Sequence, residues 1–173
     1  MKSLLLCLIA FGLTSTLYAQ NPESKTSKSE ILQNLAYLEQ VNVNDSPVIV
    51  MKLENIAAQY NIKDALIYKS KSATTYDVVF EESNGKIIAT YNRNGEIVSS
   101  IEEYKDLKLP LQVSTSISKK YPGWSFISNI HEIIYSKDKA KKMYTIHIKN
   151  KMQTKVLRYE LTGSPIANYL AVN

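Results

Sequence analysis

The chain is short of the residues that most often carry chemistry. It has one cysteine, two histidines, one tryptophan, three phenylalanines and five glycines in 173 residues. The sole cysteine, Cys7, lies inside an apolar N-terminal stretch, so the remainder has no disulfide and no thiolate metal ligand. The histidines stand in His131-Glu132-Ile133-Ile134 and His147-Ile148-Lys149-Asn150, and neither segment has a second histidine at ligand spacing. A zinc site would need both rings plus carboxylates. The simpler expectation is two half-exposed sheet histidines, and no metal or cofactor is indicated. Glycine is too sparse for a phosphate-cradling loop, and no Gly-x-Ser-x-Gly occurs. Lys and Arg number 21 against 16 Asp and Glu, a formal charge of +5. That mild excess is not the footprint of a nucleic-acid binder.

Long apolar runs are also missing. The longest, Leu4 to Leu17, falls short of the roughly 20 residues a helix needs to cross a bilayer. Preceded by Met1-Lys2 and followed by Tyr18-Ala19-Gln20, it reads as a secretory signal cut after Ala19. Cys7 is followed by Leu8-Ile9-Ala10-Phe11, so it does not close the apolar core as a lipid-bearing cysteine would. The expectation is a cysteine-free protein in the periplasm or outside the cell.

What the chain does contain is repetition. Tyr76-Asp77-Val78-Val79-Phe80 and Tyr144-Thr145-Ile146-His147-Ile148 both alternate from a leading tyrosine. Tyr91-Asn92-Arg93-Asn94-Gly95 and Tyr159-Glu160-Leu161-Thr162-Gly163 follow at the same offset of 68 positions. Only three of 24 ungapped positions are identical, but Val78/Ile146, Phe80/Ile148, Ile88/Val156 and Val98/Ile166 keep apolar character in register. The spacing predicts an α+β fold of two tandem repeats, each one helix packed on a four-stranded antiparallel meander. The expected divisions are a signal at 1–19, a polar leader with a short helix at 20–45, and repeats at 46–108 and 109–173.

Ser46-Pro47 suits a helix start, with Ser46 as cap and Pro47 in the first turn, followed by an apolar stripe of Ile49, Leu53, Ile56, Ala57 and Tyr60. The matching helix runs from Pro110 to Tyr121, with Leu111, Val113 and Ile117 apolar, and Pro122 stops it. Strands are expected near Ala65–Ser70, Thr75–Glu82, Lys86–Asn92 and Glu96–Tyr104, then Ser125–Ser136, Lys142–Lys149, Lys155–Leu161 and Ile166–Val172. Asn84-Gly85 and Asn94-Gly95 signal two-residue hairpins with positive φ. Period two sends Tyr76, Val78, Phe80 and Tyr91 toward the first helix, and Tyr144, Ile146, Ile148, Leu157 and Tyr159 toward the second. The other face then carries Asp77, Val79, Glu81, Thr90 and Asn92, with Thr145, His147, Lys149, Arg158 and Glu160. Glu81-Glu82 and Glu102-Glu103 read as charged surface, and the lysine-rich stretch 137–142 as a solvated hairpin tip. Trp124 is expected to pack over the helix end.

Leu109-Pro110-Leu111 through Lys119-Lys120-Tyr121-Pro122-Gly123-Trp124, with hairpins ending in Tyr-x-x-Asn-Gly, resembles the exported PepSY-like and beta-lactamase-inhibitor-like group. The resemblance covers about Ser46 to the C-terminus in two copies. Copy one has Tyr60-Asn61 in place of Tyr-Pro-Gly, and copy two lacks Asn-Gly at its first hairpin. It implies a small non-catalytic module that binds a protein through its exposed sheet face, in some members as an inhibitor, and it carries over no catalytic residue. The expected function is therefore an exported, non-catalytic binding module engaging an exported or envelope protein. The alternative is a structural envelope-associated protein without a discrete ligand; an enzyme, such as a nucleotidyltransferase, lacks its motif. The candidate contact residues are Val79, Glu81, Thr90, His147, Lys149 and Arg158, acidic in the first repeat and basic in the second.

Overall fold

The computed structural model describes residues 34–42, 46–69, 73–136, 139–162 and 168–172, with side chains described as far as residue 161. The expected secretory signal at 1–19 and the polar stretch at 20–28 lie outside the described residues. Three helices, α1 (Leu35–Val41), α2 (Val48–Gln59) and α3 (Leu111–Lys120), accompany a single antiparallel sheet. Its strands are β1 (Thr75–Glu82), β2 (Gly85–Asn92), β3 (Ile97–Lys105), β4 (Ser125–Ser136), β5 (Lys139–Lys149), β6 (Thr154–Thr162) and the five-residue β7 (Asn168–Val172). They lie side by side in chain order.

Alternation sorts the strands as expected. Tyr76, Ile87, Ala89, Tyr91, Tyr104, Ile133, Tyr135, Tyr144, Ile146, Ile148 and Tyr159 are buried on the helix-covered face. Val78 and Phe80 are half-buried beside them. Two apolar clusters share that face. One gathers α1 and α2 over β1–β4, and the other holds Val113 and Ile117 of α3 against Tyr144, Ile146, Ile148 and Tyr159. An isolated sheet of this kind would expose its apolar face; the helices are what cover it.

Several expectations are corrected. Two sheets were expected, but β3 pairs with β4 from Ser99↔Ser136 to Lys105↔Ile130, which joins the halves into one. The first half supplies three strands rather than four. Residues 62–64 and 66–69 form short 3-10 turns where a strand at Ala65–Ser70 was expected, and Ser70 itself lies outside the described residues. The Asn61 side chain accepts the Lys63 N–H at 3.1 Å and its amide donates to Asp64 at 3.0 Å, a local turn that competes with extension.

The hairpins also differ in detail. Ser83-Asn84 is the two-residue connection, closed by Glu82↔Gly85, and Gly85 does not have positive φ. Gly85 is needed for packing: a Cβ there would lie 2.7 Å from Tyr104 Cδ1 and 2.8 Å from Leu53 Cδ1. At the second hairpin only Gly95 is left-handed, with φ of 94°. Its N–H donates to the Asn92 carbonyl, a three-residue loop rather than two.

Helix α2 is rotated from the expected stripe. Val50, Leu53, Glu54, Ala57 and Ala58 are buried, whereas Ile56 is exposed. A buried carboxylate in the middle of the inward face masked its true centre. Pro47, not Ser46, is the N-cap, and its carbonyl accepts from Val50 and Met51. Helix α3 begins after Pro110 and leaves Leu111 exposed. It ends at the Tyr121-Pro122-Gly123 turn, where Gly123 has φ of 79°. Trp124 is half-buried against Tyr121, with ring centroids 5.8 Å apart.

Candidate binding surface

The six candidate residues occupy one face, but not one spot. Val79, Glu81 and Thr90 belong to β1 and β2, while His147, Lys149 and Arg158 belong to β5 and β6. β3 and β4 lie between, so the groups are at least three strand spacings apart, about 14 Å. Each group is locally coherent. Thr90 donates its hydroxyl to Asp77 at 2.7 Å, Val79 faces Ile88, and Glu81 faces Lys86. Across the sheet Thr145 faces Arg158 and His147 faces Val156.

Register supplies what fills the gap. Val79↔Ile88, Ile88↔Ile101 and Ile101↔Ile134 are successive cross-strand partners. Four β-branched aliphatic side chains therefore form a continuous row over β1–β4 on the side away from the helices. Val79 is 52% exposed, Ile101 58% and Ile134 41%. Polar rows flank it. One runs Asp77, Thr90, Ser99, Ser136 and Lys139; the other runs Glu81, Lys86, Glu103 and Glu132 before reaching the apolar Met143 on β5. Lys105 pairs with Glu103 at 3.1 Å and Lys141 with Glu160 at 3.5 Å. The sequence pattern assigned these residues to the open face through Val79 alone; the alignment of Ile88, Ile101 and Ile134 required the β3–β4 pairing.

The opposite face holds charges that the pattern placed on the surface. Glu102 is fully buried and accepts hydrogen bonds from the hydroxyls of Tyr37 (2.7 Å), Tyr104 (2.8 Å) and Ser100 (3.0 Å). Glu54 on α2 is buried beside it, and neither of its carboxylate oxygens has a hydrogen-bond partner among the described residues. Lys142 is buried too, at 6% exposure, so it belongs to the core and not to a solvated tip. Strands β4 and β5 run to Ser136 and Lys139; of the expected tip, 137 and 138 lie outside the described residues. His131 is 2% exposed and stacks on Tyr144 at 4.2 Å, whereas His147 is half-buried on the other face. Opposite faces prevent the two histidines from sharing a site.

Burial governs the proton affinities in this cluster. Burial and the Glu102 charge push Glu54 up to about 8, with Lys142 opposing. Glu102 is also raised by burial, against its three hydroxyl donors and Lys142. Burial lowers Lys142, against both carboxylates. His131 falls to about 3, from burial first and the Lys142 charge second. Perturbed groups in a cleft would mark a candidate active site. Here they are sealed under α1 and α2, so their protonation is tied to folding. No group of three or more His, Cys, Asp or Glu among the described residues could hold a metal ion. No helix among them is long and apolar enough to cross a membrane.

No protein-family model matches the chain, and neither the curated proteins nor the solved structures yield a match.

Proposed function

We propose that this chain is an exported, non-catalytic binding module that engages a protein partner through the open face of its sheet. The observation that carries this reading is the solvent-facing row Val79–Ile88–Ile101–Ile134 between two polar rows. An apolar strip with a polar, charged rim is the usual anatomy of a protein contact. The helix-then-meander order occurs twice, α2 before β1–β3 and α3 before β4–β7, which supports two related halves, the first lacking a strand. The Leu109–Trp124 resemblance to the PepSY-like and beta-lactamase-inhibitor-like group supports a binding role, and the Met1–Gln20 pattern supports export to the periplasm or beyond.

In this reading Val79, Glu81 and Thr90 lie at the first end of the contact and His147, Lys149 and Arg158 at the second. The acidic and basic ends would orient a partner of mixed charge. The test is a pull-down from envelope extract with wild type, Ile101→Lys and the pair Glu81→Lys with Arg158→Glu. One stoichiometric partner should be captured by wild type and weakened by each variant, while the melting temperature barely moves. If the variants change stability alone, the face is ordinary surface. Broad association with envelope material, insensitive to Ile101→Lys, would favour a structural role.

A further inference from the structure

A different surface, the outer edge of β1, is built to be completed by another strand. β1 is first in the sheet order, and among the described residues no strand pairs with its outer side. It matches β2 at eight consecutive positions, from Thr75↔Asn92 to Glu82↔Gly85, with no bulge. Its sequence, TYDVVFEE, has no proline and no lysine. Edge strands in soluble proteins commonly carry such devices, because unpaired N–H and C=O groups template further pairing.

The turn fixes which groups are free. Glu82 and Gly85 close a two-residue connection and so form a hydrogen-bonding pair of the ladder. Alternation from there points the N–H and C=O of Asp77, Val79 and Glu81 outward. The Lys105 N–H, which donates to the Asn84 carbonyl at 2.9 Å, continues the same phase on the far side of β2. The residues with outward backbone are also those whose side chains form the margin of the open face.

We propose that this edge accepts an extended segment of a partner protein as an added strand, with an apolar residue opposite Val79 and a basic residue two positions to each side. Charge complementarity selects that occupant. Asp77 and Glu81 flank Val79 at i±2 on the solvent face, and Glu81 has no ion pair among the described residues. An apolar residue opposite Val79 extends the row Val79–Ile88–Ile101–Ile134 by one strand. A second copy of this chain fits less well. Stacking Val79 on its own copy in antiparallel register sets Asp77 against Glu81 at both ends, and like charges directly opposite destabilise a pair. The recognition mode is strand addition, with backbone bonds giving affinity and alternate side chains giving selectivity. It shares Val79 and Glu81 with the open-face reading above but requires only the outward backbone of β1, which the amide-exchange readout separates from that face.

The probe is the capped peptide Thr-Lys-Thr-Val-Thr-Lys-Thr, with Thr-Glu-Thr-Val-Thr-Glu-Thr as control. Amide exchange on the full chain should slow at Asp77, Val79 and Glu81 with the lysine peptide, and stay unchanged at Ile101 and Ile134. Reversing both charges, Asp77→Lys with Glu81→Lys, should weaken the lysine peptide about tenfold and favour the glutamate peptide instead. Val79→Pro removes an outward donor without touching the ladder to β2, and should abolish binding. Should Val79→Pro fail to fold, the charge swap alone decides. The proposal is overturned if the lysine peptide does not bind, if both peptides bind wild type equally, or if protection falls on the open face and survives Val79→Pro. Concentration-dependent self-association that protects the same three amides would assign the edge to a second copy and also overturn it.

Discussion

Unfolding measured from pH 3 to 9 should show a plateau of stability between two falling limbs, each set by one buried side chain. Glu54 rises from its ordinary 4.5 to about 8 on folding. The native state therefore holds this proton more tightly than the unfolded chain. That stability is complete below pH 4.5 and is lost as pH climbs toward 8. His131 moves the other way, from 6.5 to about 3. Its contribution is complete above pH 6.5 and is lost as pH falls toward 3. Between 4.5 and 6.5 the two slopes oppose each other and stability is level.

Linkage sets each slope at about 1.4 kcal/mol per pH unit for one proton. From pH 6.5 to 8 the Glu54 limb thus loses about 2 kcal/mol, and the His131 limb loses a similar amount from pH 4.5 to 3. The groups around Glu54 bear on the same limb. Glu102, raised by burial, adds a slope of the same sign as Glu54, and Lys142, lowered by burial, one of the opposite sign. Tyr37 and Tyr104, whose hydroxyls face Glu102, are pushed further up and stay neutral. Urea midpoints at half-unit pH steps would trace both limbs. Glu54→Gln should flatten most of the alkaline limb and let the acid limb begin at about 6.5, whereas His131→Phe should flatten the acid limb and let the alkaline limb begin at about 4.5. A wild-type midpoint unchanged from pH 6.5 to 8.5, or an alkaline limb intact in Glu54→Gln, would refute the claim that native Glu54 keeps its proton.

Two predictions concern packing and buried hydrogen bonds. Gly85→Ala forces a Cβ against Tyr104 and Leu53, at 2.7 and 2.8 Å, and should destabilise by about 1–3 kcal/mol in denaturant titrations. A neutral outcome would show that the Tyr104 ring moves aside despite its bond to Glu102. Asn34→Ala should cost about 2–4 kcal/mol. Its amide donates to the carbonyls of Ala58 (3.0 Å) and Gly95 (3.3 Å), and its side-chain oxygen accepts the Ile97 N–H at 2.8 Å. Asn34→Asp keeps the acceptor and loses both donors, so calorimetry at a pH that protonates the new carboxyl should place it between wild type and alanine.

The strands were legible because their signal is local. Tyr76, Val78 and Phe80 alternate with Asp77, Val79 and Glu81, and a side-chain period of two needs no knowledge of the neighbours. The joining of β3 to β4 was not legible. Nothing in Ser99–Lys105 or Ile130–Ser136 names its partner, and the intervening helix α3 suggested a boundary. The candidate contacts suffered accordingly. Their face was readable, but their separation by two strands, and the isoleucines filling that gap, depended on the unread pairing.

The buried charges failed for a different reason, since a pattern sorts residues by the company of apolar neighbours. On the helix-covered face the register runs Phe80, Ile87, Glu102, Ile133, Lys142 and Leu161. Within its own strand Glu102 sits between Ser100 and Tyr104, which gives no apolar frame. Only across strands is it bracketed by Ile87 and Ile133. A carboxylate there is tolerable because Tyr37, Ser100 and Tyr104 donate to it and Lys142, two strands away, supplies the opposite charge. Those partners come from a helix and two strands up to 65 residues away in sequence. Glu54 then enters from α2 beside a carboxylate already provided with partners, and holding its proton is what lets a second acid share the space.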